Sequence, residues 1–311
     1  SSVLLILPFY RTSAFWGKNE NYGWLFFILA LYFFFKIRRE GVSKTPNKND
    51  ILNIILFCFT SACSLYARQM LIFLPVSYLL YLLFNNANNK IFITSIISYA
   101  IFSIPGFILI WIWGDIYDTK NLPSNQVYGQ WLHPKYIFSN IPILLSFFGF
   151  YLLPILVIDF FHSGFKKFFK EYYKSFFSII VLFVILSQFH IFNYLGKYTL
   201  GGGAVLKINL LIDKNNFFLL LFFSAIGFSI IFRFFKEDIK NNSIILLPLF
   251  IPYLLPNLLY QEYVEPLILV IFFLALKTEL HKVYFKNISF SNFVFIFYFM
   301  IYLVGSIYFK H

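Results

Sequence analysis

Ten apolar runs, at about 22–35, 51–66, 69–84, 91–113, 141–160, 176–195, 216–232, 243–259, 264–277 and 290–308, alternate with short polar segments and follow an apolar remnant at 1–10. Runs of this kind predict membrane-crossing helices, several of them shorter than the ~20 residues that a straight crossing needs. Runs 51–66 and 69–84 are separated only by Ala67 and Arg68. Pro75 and the polar stretch from Tyr66 to Gln69 predict two short helices with a tight hairpin there, not one long helix.

The polar segments differ in charge, and the difference orients the chain. With the hairpin in place, sixteen of the 25 Lys and Arg fall on one set of alternate connections and nine on the other. Basic residues in short loops mark the cytoplasmic side of a membrane protein, so the loops 11–21, 114–140, 196–215 and 260–264 are expected on the opposite face. Merging 51–84 into one helix would invert every later loop and remove the bias. The expected fold is all-α: a polytopic transmembrane helix bundle of about 10 to 11 spans, forming a single transmembrane domain over 1–311. No internal repeat and no appended soluble domain is visible.

Composition excludes the soluble classes. Apolar residues make up 60% of the chain, aromatic residues 23% and charged residues 12%, with a mean hydropathy of +0.75. Folded in water, such a chain would expose far more apolar surface than globular proteins carry. The net charge of +12 is spread over short connections, which speaks for topology and not for nucleic acid. Cys58 and Cys63 lie five apart in one apolar run, a spacing that suits buried small hydrophobes and neither a disulfide nor a metal pair. No Met opens the chain, so the natural start, with a first span and first external loop, is expected to be missing.

Soluble-enzyme signatures are absent: there is no H-E-x-x-H, nucleophile elbow, Walker loop or dinucleotide fingerprint. The five histidines are scattered without metal-ligand spacing, so no metal or cofactor is expected. The sequons at Asn241 and Asn287 fall on the basic face and read as chance matches.

Candidate chemistry gathers at the Lys/Arg-poor face, where charges at span edges are costly unless used. Arg11, Glu20 and Asn21 lie in PFYRTSAFWGKNENYGW. A carboxylate there could accept a proton from a hydroxyl or position a sugar, though Glu20 and Asn21 also suit a helix start and Arg11 could snorkel. Arg68 and Gln69 occupy the tight hairpin, where a guanidinium without a local acid suits a phosphate, bound specifically or as a lipid headgroup. Lys197 and Lys207 bracket Gly201, Gly202 and Gly203, whose backbone could cradle an oxyanion or simply form a flexible loop. Gln261, Glu262, Tyr263 and Glu265 in YQEYVEPLIL offer acids and phenols at a span entrance, as an acceptor site or an interfacial aromatic belt. Asp159, near the basic end of its span, is expected to pair with a nearby lysine.

An external aromatic segment, a span, a basic loop and a hairpin containing Arg68–Gln69 together resemble the membrane-embedded glycosyltransferases of the GT-C class. Within that class the chain is most similar to the dolichyl-phosphate-glucose α-1,2-glucosyltransferase family, best over 1–84 and in patches over 190–270, with the Gly-Lys loop at 196–207 and the Glu-Pro loop ending at Pro266 as looser matches. The resemblance implies a GT-C-like fold and transfer of a hexose from a polyprenyl-phosphate donor to a lipid-linked or cell-surface acceptor on the non-cytoplasmic face. Glu20 and Glu265 would be catalytic. Arg68, Gln69, Lys197 and Lys207 would bind the donor phosphate, and Arg11, Asn21, Gln261, Glu262 and Tyr263 the substrates. The implied partners are these lipid-linked sugars and membrane lipids, with no nucleic acid, in a bacterial inner membrane or the endoplasmic reticulum membrane. Where that family has a His-containing loop this chain has the triple glycine, which leaves sugar and acceptor open. The competing expectations are a transporter or flippase of lipid-linked sugars, and a polysaccharide polymerase or ligase.

Overall fold

In the computed structural model the described residues are 20–42, 44–67, 69–113, 137–187, 218–255 and 279–308, with positions 205, 208, 209, 264 and 268. Among them every regular element is helical. In chain order these are α1 (Glu20–Glu40), α2 (Lys48–Ala67), a 3₁₀ turn (Gln69–Ile72), α3 (Phe73–Phe84), α4 (Asn89–Trp113), α5 (Ile137–Ser163), α6 (Phe165–Ser187), α7 (Phe218–Phe234), a second 3₁₀ turn (Phe235–Asp238), α8 (Ile239–Leu254), α9 (Leu280–Lys286) and α10 (Ile288–Tyr308). Stretches within α2, α4 and α5, namely Lys48–Ala67, Asn89–Leu109 and Asn140–Ser163, are long and apolar enough to cross a membrane. Shorter apolar helices lie at Phe73–Phe84, Phe218–Phe234 and Ile288–Tyr302.

Local chemistry sets several helix ends. Asn47 N–H donates to Asp50 Oδ2 at 2.8 Å and Asp50 N–H donates to Asn47 Oδ1 at 2.9 Å, a reciprocal cap that starts α2. Arg38 and Arg39 sit in the last turn of α1, where the helix dipole favours cations. Gly41 (φ 87°) and Gly164 (φ 75°) terminate α1 and α5 in the left-handed region that side chains disfavour. Asn287, read from sequence as a chance sequon, accepts the Phe290 N–H at 3.1 Å and caps α10.

Contacts divide the chain into two units, Ser13–Leu132 with Lys240–Pro252, and Ser1–Thr12 with His133–Ile239 and Tyr253–His311. In the first unit, α1 to α4 run up and down in turn. Phe27 meets Phe73 at 6.0 Å and Phe34 meets Tyr81 at 5.4 Å, so α1 and α3 are parallel. Cys58 and Ser61 of α2 face Ser95 and Tyr99 of α4, so that pair is parallel too. Phe57 and Tyr78 approach to 4.3 Å across the middle, and Tyr78 also shares a hydrogen bond with Ser95 at 3.2 Å. Aromatic packing with a few interhelical hydroxyl bonds is how helices associate when lipid removes the hydrophobic drive between them. Cys58 and Cys63 are both free thiols, and Cys58 is fully buried.

The connections 41–47 and 85–88 meet at one end of this unit, where Asn88 N–H donates to Val42 O at 2.8 Å. That end carries Lys36, Arg38, Arg39, Lys44, Lys48 and Lys90. Lys240 joins it, with its ammonium 2.7 Å from Phe84 O.

In the second unit, α5 and α6 form a hairpin about Gly164, and α7 lies alongside α5. A methyl group built on Gly149 would stand 1.9 Å from Phe223 O, and one on Gly227 would stand 2.1 Å from Leu145 O, so these two backbones touch directly. Ser224 Oγ donates to Pro142 O at 2.5 Å beside the crossing. Ile179 and Ala225 anchor the core shared by α6 and α7, with Leu145 of α5 against them. Phe161–Phe290 and Phe150–Tyr298 contacts at 5.5 and 5.6 Å lay α10 antiparallel to α5.

One helix departs from the sequence expectation. A span was expected to begin near 176, whereas α6 begins at Phe165. The lysine-rich stretch before the span is helical and amphipathic, so hydropathy averaged along the chain hides it.

Candidate functional site

The Lys/Arg-poor end of the first unit is built by the start of α1, the turn between α2 and α3, and the last third of α4. Glu20 and Asn21 open α1, and Gln69 opens the 3₁₀ turn; all three are placed by backbone. The break between Ala67 and Gln69 is the hairpin expected from Tyr66–Gln69 and Pro75, and Pro75 falls in the first turn of α3, where a missing N–H costs nothing. The helix senses bring Glu20 and this turn to the same end. Trp24, Phe27, Leu71 and Phe73 form a fully buried floor beneath them. Trp24 and Phe27 pack edge to face at 5.4 Å.

Tyr66 stands two residues before this reversal. Its hydroxyl donates to Phe102 O and accepts the Gly106 N–H at 3.2 Å. In an uninterrupted helix that N–H would bond the Phe102 carbonyl directly. The phenol is therefore inserted into the ladder of α4 beside Pro105, which itself has no N–H to give. Trp111 is 83% exposed further along α4, as an interfacial aromatic belt requires.

The remaining expected site residues, Arg11, Arg68, Lys197, Lys207, Gln261, Glu262, Tyr263 and Glu265, lie outside the described residues. The structure thus places the α1 entrance and the turn opened by Gln69 at the same end of the first unit by backbone position.

A second polar constellation, at the basic end of the second unit, was not singled out from sequence. Arg233, at the end of α7, donates from Nε to Glu171 Oε2 at 2.6 Å and from Nη1 to Glu279 Oε2 at 2.9 Å. Lys282 Nζ stands 3.9 Å from Glu279 Oε1. Next to it, Tyr172 Oη donates to Asp159 Oδ2 at 2.8 Å, and both residues are buried. The partner of Asp159 is therefore a tyrosine of the following helix and not the lysine expected. A neutral phenol can follow the carboxylate into a buried site at lower desolvation cost than an ammonium. Burial, followed by the Asp159 charge, pushes the Tyr172 phenol well above its usual range. Burial alone would lower the Arg233 pKa, but hydrogen bonds to Glu279 and Glu171 more than offset it and the net shift is upward.

This cluster is saturated by its own members: one guanidinium holds two carboxylates and one phenol holds the third. Such an arrangement locks helices together. Among the described residues no group of three or more His, Cys, Asp or Glu could hold a metal ion. No family model matches the chain, and no curated protein or solved structure is similar to it.

Proposed function

We propose that this chain is a multi-pass membrane glycosyltransferase of about ten or eleven spans that moves a hexose from a polyprenyl-phosphate donor to a lipid-linked or cell-surface acceptor at its Lys/Arg-poor face. The observation that carries the reading is the helix arrangement of the first unit: the entrance of α1 with Glu20 and the reversal around residue 68 share the end opposite the basic loops. A lone guanidinium at such a reversal is suited to a phosphate that must stay at headgroup depth.

The chemistry is an in-line displacement. A carboxylate, Glu20 or Glu265, accepts the proton of the acceptor hydroxyl, whose oxygen forms the new bond to the anomeric carbon. The bond from that carbon to the phosphate oxygen breaks, and the polyprenyl phosphate departs with the electron pair, stabilised by Arg68 with Lys197 or Lys207. Gln69, Arg11, Asn21, Gln261, Glu262 and Tyr263 orient donor and acceptor. The polyprenyl chain stays in lipid throughout, which accounts for a catalyst made almost wholly of apolar helices.

The test is transfer in proteoliposomes. Radiolabelled polyprenyl-phosphate hexoses and the corresponding nucleotide sugars are offered with short polyprenyl-linked acceptors. Label should pass to the acceptor only from the lipid donor, and Arg68→Ala should slow transfer by about 10²-fold, as loss of one anion-stabilising donor does. Movement of an intact lipid-linked sugar across the bilayer, with no bond exchanged, would replace this reading by that of a flippase.

A further inference from the structure

We propose that the exposed lysine flank of α6 is a binding surface for anionic phospholipid headgroups, held toward the bilayer surface by the polar clamp around Arg233. The first four turns of α6 divide into three faces. Phe168, Tyr172, Ser175 and Ile179 turn inward, and Glu171 beside them is held by Arg233. Phe165, Phe169, Tyr173 and Phe177 form an exposed ladder, with ring centroids 6.1 Å apart for the first pair and 5.8 Å for the second. Lys166, Lys167, Lys170 and Lys174 occupy the flank between them, all exposed. At 100° per residue the four lysines fall within about 100° of arc, and they extend about 12 Å along the axis.

Charge decides what can occupy that flank. Glu171, Glu279 and Asp159 are already committed to Arg233 and Tyr172. Among the described residues no carboxylate forms an ion pair with any of the four lysines. The uncompensated charge lies within about one screening length of itself, so the lysines act as one patch. The aromatic ladder beside it runs on into the apolar half of the same helix, which places the patch at the depth where rings meet headgroups. Long lysine stems then carry their ammonium groups to the phosphates. An acidic lipid supplies both the charge and the apolar neighbour that the two exposed faces require.

Rotation of α6 would destroy this presentation. Two bonds prevent it, Tyr172–Asp159 to α5 and Glu171–Arg233 to α7. They fix which flank faces outward, which gives the saturated cluster a role without any ligand of its own.

The experiment reconstitutes the full chain in nanodiscs with equal parts of phosphatidylglycerol and phosphatidylcholine and counts the lipids retained after delipidation by native mass spectrometry. Each lysine near an anionic surface strengthens association by about fivefold, so the wild type should retain phosphatidylglycerol at least fivefold over phosphatidylcholine. The preference should vanish when Lys166, Lys167, Lys170 and Lys174 are all changed to Gln, and persist when Lys44, Lys48 and Lys90 are changed to Gln. Equal retention of the two lipids by the wild type overturns the proposal, as does a preference that survives the fourfold change. If the fourfold variant does not insert, a photoactivatable phosphatidylglycerol decides the matter on the wild type: adducts within 165–177 support the surface, and adducts confined elsewhere overturn it.

Discussion

Replacing Gly149 by alanine should force apart the two helices that meet most closely. The added methyl would stand 1.9 Å from Phe223 O, where ordinary contact begins at 3.4 Å, a shortfall of 1.5 Å. The obstacle is backbone on the facing helix, so no side chain can swing away, and the cost belongs at the upper end of the ~1–3 kcal/mol typical of overpacking. Loss of the neighbouring Ser224–Pro142 bond adds about 0.6 kcal/mol, an average value for hydrogen bonds between membrane helices. Alanine's better helix propensity returns up to about 1 kcal/mol. The net expectation is a loss of about 2–3 kcal/mol, read as an earlier midpoint when the protein is titrated from dodecyl maltoside into dodecyl sulfate and followed by intrinsic fluorescence. Gly106→Ala is the internal reference. Its methyl would meet the Tyr66 ring at 3.0 Å, and a side chain need yield only a few tenths of an ångström there, so less than about 1 kcal/mol is expected. The combined Gly149→Ala and Gly227→Ala change should cost less than the two single changes together, since helices parted once admit the second methyl. The reasoning fails if Gly149→Ala costs no more than Gly106→Ala.

Arg233→Ala leaves Glu171 without its partner and Glu279 with Lys282 alone in a partly exposed site, and should cost about 1–2 kcal/mol in the same titration, with Arg233→Lys intermediate because an ammonium lacks the two-pronged geometry. Tyr172→Phe should cost about 1–3 kcal/mol, because it strips a buried carboxylate of its donor, and should weaken phosphatidylglycerol retention by loosening the rotation of α6. Glu40 titrates above its usual range, first through its hydrogen bond with Asp50 and then through burial. A carboxyl whose folded pKa is raised adds stability when protonated and loses it as pH rises through that folded value. The α1–α2 connection should therefore exchange amide hydrogens more slowly just below pH 4.5 than at neutrality, once intrinsic rates are removed, and Glu40→Gln should flatten that dependence.

The amino-acid sequence carried the helices well where apolarity and length were the signal. The reversal at 68 was legible because Tyr66–Gln69 interrupts an apolar run and Pro75 cannot sit deep in a helix. Within each unit basic connections share an end: Asn88 meets Val42 in the first, and Lys166 to Lys174 lie with Arg233 and Lys286 in the second. The beginning of α6 was hidden because its lysines depress average hydropathy while its aromatic residues keep a helical period. The Gly149–Gly227 contact was hidden for another reason. A glycine inside a run of Phe and Leu is unexplained by sequence until the facing helix is known, although an isolated glycine in an apolar helix is itself a signal of close approach. Asp159 was given the wrong partner because a charge-matching argument overlooks a phenol thirteen residues away on the next helix. Of the candidate site, Glu20, Asn21 and Gln69 lie among the described residues by backbone, and the other members lie outside them.

Tyr66 makes the shape of one helix depend on the sequence of another. Its hydroxyl takes the place of a rung in α4 beside Pro105, and the wedge that does so belongs to α2. The wedge sits two residues before the reversal at which the phosphate group is proposed to bind. Two hydrogen-bonding groups of α4, the Phe102 carbonyl and the Gly106 N–H, thus have their partner in the sequence of a different helix.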